Sequence, residues 1–364
     1  DPGGAEWRYS YDLLGNRLAA SDPDLGYWSY TYDKSNQLIT QRDARGWITS
    51  MDYDQLGRLT LQEVKASGGT VTTLVAKNTY DNSVTGSYGI GKLTTSENGT
   101  SSHRYYYEGN GLLATKSTTI DGVTNINYDK RSTGSTQIVW KQYYPDLSIG
   151  ATDNRWQYNS NNMLKLVPGQ IQNIAYEADG QTKSITYANG VTTTFTYDPE
   201  RRWLTNIKTA KPTAGWMNNT YERDAVGRIT KITSSVPTEN WTYTYDTLSR
   251  LKTAVNAGTS ALNEGYTYSP SGNLLTRSKN AAYTYPAGTA VRPHAVTAIG
   301  IRTMTYDANG NMLTDGVRTH TWDPSNRLSK VVRGGTTVDI AYCPDGTRVS
   351  KSWNNGETLY PDAD

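Results

Sequence analysis

Tyr9-Ser-Tyr11-Asp12-Leu-Leu-Gly15-Asn-Arg17-Leu18 is followed by Tyr30-Thr-Tyr32-Asp33-Lys-Ser-Asn36-Gln-Leu38 and by Met51-Asp-Tyr53-Asp54-Gln-Leu-Gly57-Arg58-Leu59-Thr60. Side chains on a strand point alternately to its two faces, so Tyr-x-Tyr sets two rings on one face. The Asp opens a turn, because its carboxylate can accept from the backbone N–H groups just ahead. Gly three residues later suits the last position of a type I turn, where a positive φ costs it little. Arg-Leu-Thr then starts the returning strand. The unit predicts strand, tight turn, strand: a β-hairpin.

Working outward, the same unit recurs as Tyr243-Thr-Tyr245-Asp246-Thr-Leu-Ser249-Arg250-Leu251 and as Tyr306-Asp307-Ala-Asn-Gly310-Asn311-Met312-Leu313, with weaker copies between. Taking the Asp position as marker, Asp12 to Cys343 covers 15 intervals of about 22 residues. Hairpins of this kind cannot bury their faces alone and must stack on neighbours. About 16 units predict roughly 30 short strands in one continuous antiparallel sheet, and a sheet that long must curl, split or close. The expected fold is all-β, curled into a hollow or partly open shell or barrel. No linker divides the chain, so residues 1–364 read as a single repeat region. Units in 1–65 keep strict spacing, whereas 66–160 is looser and richer in Gly, Ser and Thr. An insertion that carries function is expected there.

Composition agrees. Among 364 residues there are 28 Tyr, 10 Trp, 51 Thr and one Phe, residues of pleated and half-wet surfaces. Hydrophobic content is low, yet a net charge of +2 argues against disorder, which needs high charge as well. Lys and Arg are spread along the chain, giving no electrostatic footprint for nucleic acid. No apolar run is long enough for a membrane helix, and no membrane insertion is expected. The single cysteine, Cys343, excludes an internal disulfide framework and a cysteine-based zinc site. The chain opens on Asp1-Pro2-Gly3-Gly4, and the expectation is a piece of a larger protein.

The Tyr-Asp units with a following Gly-Arg-Leu resemble the YD repeats of the bacterial RHS-repeat family, which includes polymorphic toxins, shell subunits of insecticidal toxin complexes and, more distantly, the teneurins. Pro293-His294-Ala295-Val296-Thr297-Ala298-Ile299-Gly300 and Trp322-Asp323-Pro324-Ser325-Asn326-Arg327-Leu328 resemble the late part of an RHS core. The resemblance implies a strand that spirals into a shell around a toxic C-terminal polypeptide, in a secreted, extracellular or surface-exposed bacterial protein. The partners implied are that cargo or flanking regions of the parent. The family's closing segment, with its self-cleaving carboxylates, is not found after Thr358-Leu359-Tyr360, so neither autoproteolysis nor toxicity is assigned to these residues.

Candidate chemistry concentrates in Ser101-Ser-His103-Arg104-Tyr105-Tyr106-Tyr107-Glu108. His103 or Tyr105 as base and acid, with Arg104 neutralising a carboxylate, is the equipment for eliminative cleavage of an acidic polysaccharide. Against that stands a plain YD unit carrying Glu in place of Asp, with the His exposed by accident, and this reading is preferred. His294 is expected to make a structural hydrogen bond and His320 an ordinary sheet contact beside Trp322. Asp307 to Asn311 fails the spacing of a helix–loop–helix calcium site and reads as a turn. Cys343 occupies the motif Asp position with no base assigned to it, and packing is the expected role. No metal site or cofactor is implied. Flat aromatic faces suit sugars, so Trp140, Tyr143, Tyr144, Arg202 and Trp203 are the candidate binding surface for a glycan or receptor. The expected function is therefore non-enzymatic encapsulation; adhesion and polysaccharide cleavage are the alternatives.

Overall fold

The computed structural model describes residues 1–82, 87–131, 137–143, 147–149, 155–211 and 213–360. Its described residues form thirty-five strands and two single-turn 3-10 helices, Pro237–Glu239 and Ser260–Leu262, with no α-helix. Among the described residues the strands pair with their neighbours in sequence and antiparallel, as in Arg8–Tyr11 with Arg17–Asp22 and Trp241–Tyr245 with Leu251–Asn256.

Two compact units result, one of residues 1–128, 269–273 and 282–364, the other of residues 129–268 and 274–281. In the first unit, strands follow one another from Arg8–Tyr11 to Val123–Arg131, in which the division falls. A three-stranded sheet then starts at Tyr283–Thr284, and a seven-stranded one runs from Thr305–Tyr306 to Gly356–Leu359. The second unit holds two short hairpins and a ten-stranded sheet from Ile171–Tyr176 to Leu274–Arg277. The expectation of one continuous sheet is thus corrected: the described strands fall into five sheets. One reason lies in the segment before Ala298–Ile299, where Pro286 and Pro293 remove ladder donors and Arg292 takes φ 58°.

The hairpin itself is built as the sequence predicts. Asp12 Oδ1 accepts from Leu14 N and Asn16 N, both at 2.9 Å, and Gly15, at φ 86°, donates to Asp12 O at 3.2 Å. Asn36, Asn162, Ser249 and Asn326 take the same positive φ where the motif Gly is replaced.

Side-chain chemistry then links one hairpin to the next. Register shifts beside the second Tyr of each unit mark a β-bulge, which leaves part of the ladder unpaired. The Tyr hydroxyl of the following unit donates to a carbonyl at that place: Tyr53 to Leu38 O at 2.9 Å, Tyr245 to Ile229 O at 2.7 Å and Tyr268 to Leu251 O at 2.9 Å. The motif Arg holds its own turn Asp and covers the next Tyr. Arg250 Nε donates to Asp246 at 2.7 Å while its guanidinium carbon lies 4.7 Å from the Tyr268 ring centre. Arg58 and Arg228 repeat the arrangement over Tyr80 and Tyr245.

Apolar burial is sparse. Among the described residues, twelve buried hydrophobic side chains stand against fourteen buried polar or charged ones, so hydrogen bonding must satisfy much of the interior. Eight of the fourteen, from Ser87 to Thr118, lie around the strands Leu93–Glu97, Ser101–Tyr107 and Leu113–Ile120.

Candidate functional site

A polar seam joins the early hairpins of the first unit to its late ones. At one end His294 Nδ1 lies 2.6 Å from Asp24 Oδ2, and His294 Nε2 lies 2.8 Å from Asp1 Oδ2. The structural hydrogen bond expected of His294 is therefore present. Further along, Asn309 is 2% exposed and donates from Nδ2 to Asp43 Oδ2 at 2.6 Å and to Asn326 Oδ1 at 2.9 Å, while its Oδ1 accepts from Arg45 N. Arg45 completes the network through Asp43 at 3.0 Å and the carbonyls of Asp323 and Pro324. Asp307 Oδ1 accepts from Asn309 N and Asn311 N, which is the turn expected there. Glycines let the backbones meet: a Cβ on Gly310, which has φ 80°, would sit 2.6 Å from Asp24 O.

At the far end of the seam the strand Ser101–Tyr107 meets the turn between Thr336–Tyr342 and Arg348–Trp353. Asn98 Nδ2 donates to Tyr342 O at 2.8 Å, and Ile120, Cys343 and Val349 form a small apolar cluster. The expectation of an exposed His103 is overturned: the side chain is 1% exposed. It faces inward with Thr118, its cross-strand partner, whereas Arg104 is exposed on the opposite face. His103 and Arg104 are consequently not brought to one surface. Burial pushes the Tyr105 hydroxyl well up from its usual range, helped by the nearby Asp345 carboxylate.

The sequence paired Cys343 with nothing, but the fold sets His103 and Asp345 beside it. Cys343 is fully buried, and burial raises its thiol above the ordinary value despite the Ser101 and Thr347 hydroxyls that favour the thiolate. Asp345 Oδ1 accepts from the Thr347 hydroxyl at 2.6 Å, and its Oδ2 lies 3.4 Å from His103 Nε2. No spacing rule could have found this set, because 240 residues separate His103 from Cys343.

The aromatic candidates fare differently. Tyr144 lies outside the described residues, as do the side chains of Trp140 and Tyr143. Arg202 Nε donates to Asp179 at 2.6 Å, and its guanidinium lies over the Tyr197 ring. Trp203 carries the Arg201 guanidinium 4.7 Å from its ring centre, and a Cβ on Gly227 would come within 3.1 Å of its Cζ2. Both residues are thus engaged in linking successive hairpins. His320 is half-buried on the strand Thr319–Trp322, and its Nδ1 has no hydrogen-bond partner.

Comparison with known proteins follows from this repeat chemistry. The family model of the teneurin YD-shell matches residues 169–358, more than half of the chain, and that of the RHS repeat matches residues 32–71. The chain belongs to the teneurin YD-shell family. Toxin subunit YenC1 of Yersinia entomophaga is 28% identical, over 54% of this chain and 27% of the relative. The crystal structure of TcdB2-TccC3 without its hypervariable C-terminal region matches 97% of this chain and 21% of that one, with a TM-score of 0.83 at 18% identity. The Photorhabdus luminescens Tc holotoxin pore with the TccC3-D651A mutation covers the same shares with a TM-score of 0.75 at 16% identity. These likenesses establish the fold, and this chain spans about a quarter or less of each relative.

Proposed function

We propose that this chain is a wall segment of an RHS-type shell that encloses a C-terminal toxin polypeptide and keeps it apart from the surroundings until delivery. The observation that carries the reading is the fold shared with toxin-complex structures over 97% of the chain. The balance of burial is in keeping with it, since the described residues bury as many polar side chains as apolar ones, unlike the core of a solid globular domain. The role is structural rather than catalytic, the partners are the cargo or flanking parts of the parent chain, and the setting is extracellular or at the bacterial surface.

Small-angle scattering is the first test. A solid domain of this length has a radius of gyration near ~21 Å. A clearly larger value with a hollow or crescent-shaped distance distribution is expected. A compact particle would remove encapsulation and make surface binding the leading function. The second test fuses an unstable, protease-sensitive reporter after residue 364. Slower digestion than for the free reporter is expected, and equal rates would count against enclosure.

A further inference from the structure

The ligand-capable atoms of His103, Cys343 and Asp345 all lie within 4.8 Å of one another. Two of the three residues are sealed from solvent, while the Asp345 side chain is 35% exposed. His103 Nδ1 lies 3.1 Å from Thr118 Oγ1. His103 Nε2 is buried without a hydrogen-bond partner, and although Asp345 Oδ2 is 3.4 Å away, the pair lacks hydrogen-bond alignment. A Cys–His–Asp relay for nucleophilic catalysis needs the thiol and the carboxylate on different ring nitrogens. Here Nδ1 is taken by Thr118 and Nε2 faces Asp345, so neither ring nitrogen is left to serve the thiol. The three side chains converge on a point instead of forming a line.

From this geometry we infer that His103, Cys343 and Asp345 form a binding site for a transition-metal dication of the zinc type. If Nδ1–H donates to Thr118, Nε2 presents a bare lone pair to a carboxylate that can only accept. A cation between them resolves that opposition, and an outer hydrogen bond of this kind is what fixes the ring of a metal-bound His. Thiolate, imidazole and carboxylate together suit zinc and exclude the oxygen-seeking calcium and magnesium. Zinc bonds of about 2.0–2.3 Å put tetrahedral neighbours about 3.3–3.7 Å apart. The widest present separation therefore has to close by about 1 Å, within the reach of side-chain rotation.

The fourth position falls on the Asp345 side, where water can enter. Two ligand charges balance the dication, and Lys116 Nζ, 3.8 Å from Asp345 Oδ2, favours the ionised ligands before the metal arrives. A lone cysteine gives no zinc spacing in the sequence, and the site is a mixed one that only the fold assembles. Its role is to clip the late hairpins to the early ones, independently of any cargo.

The test uses the whole chain, reduced and untagged, titrated with Co²⁺ and then Zn²⁺. One equivalent of cobalt with a thiolate-to-metal charge-transfer band, displaced by zinc, is expected. Cys343→Ala should abolish the band, Asp345→Asn should weaken it, and Thr118→Val should cost about 10–100-fold in zinc affinity while keeping the band. The proposal fails if no such band forms, or if it persists in Cys343→Ala. Should that variant unfold by circular dichroism, the wild-type His103 ring resonances decide. They shift on one equivalent of zinc if the site is real and stay in place if it is not.

Discussion

The hairpins around Asp224 and Asp246 and the seam around Asn309 use the same repeat to opposite ends. In the first, the links among the described residues run from each unit to its neighbour: Arg228 covers Tyr245, Arg250 covers Tyr268, and each Tyr hydroxyl reaches one carbonyl back. Stability there is close to a sum of neighbour terms, as in other repeat proteins. In the seam, turns with the same Asp and Gly chemistry face turns from the other end of the chain. Asn309 and Asp43 are buried, Arg45 is nearly so, and removing any one takes a hydrogen bond from the others. A repeat face that is half-wet along most of the chain becomes a dry polar junction where two turns meet.

That contrast is open to test, beginning with the largest effect. Asn309→Ala should cost about 3 kcal/mol, because it strips hydrogen bonds from the buried Asp43 carboxylate and the Arg45 backbone N–H. Urea unfolding measures this, and a loss under about 1 kcal/mol would show that the seam is not a cooperative junction. Next comes a matched pair of glycines. Gly310 and Gly190 both have φ 80°, but a Cβ meets Asp24 O at 2.6 Å in the first and nothing within 4 Å in the second. Gly190→Ala should cost only the strain of its backbone, about 1 kcal/mol. Gly310→Ala should cost distinctly more in the same assay, and equal costs would remove the close approach from the account.

Within the regular hairpins the effects are smaller. Tyr245→Phe and Tyr268→Phe each delete one hydroxyl-to-carbonyl bond and should cost about 1 kcal/mol apiece. As the bonds share no partner, the double variant should be additive, and strong non-additivity would mean the hairpins are not acting as near neighbours only.

The last test is acid. Glu264 is brought down from 4.5 to about 2, chiefly by hydrogen bonds from Arg277, with the Tyr266 hydroxyl and Lys279 assisting. Its folded value lies below its unfolded one, so its contribution is complete above about pH 4.5 and is lost as pH falls towards 2. Between those limits wild type should lose melting temperature faster than Glu264→Gln. Parallel curves would exclude the pairing as a source of acid sensitivity.

Much of the hairpin was legible because each part acts over a few residues. Asp12 turning the chain, Gly15 taking a positive φ and Tyr11 sitting beside a register shift are all local consequences of residue type. The family was legible for the same reason, since a repeated local rule leaves a repeated string. The division into five sheets was not, because interruptions such as Pro286 to Arg292 are read locally as turns and their effect on pairing is not local. His103 illustrates the limit most clearly. Sequence placed it correctly on the face with Tyr105 and Tyr107, yet only the packing of a distant turn decided that this face is buried.

By itself the sequence determined the all-β class, the hairpin and its turn chemistry, and membership among YD-repeat proteins, because all three rest on residue type and period. The tertiary structure alone decided which turns face each other and which polar groups lose their water. It also decided that Cys343 stands beside His103 and Asp345. Those outcomes depend on how small twists accumulate over many strands, a quantity that no single unit encodes.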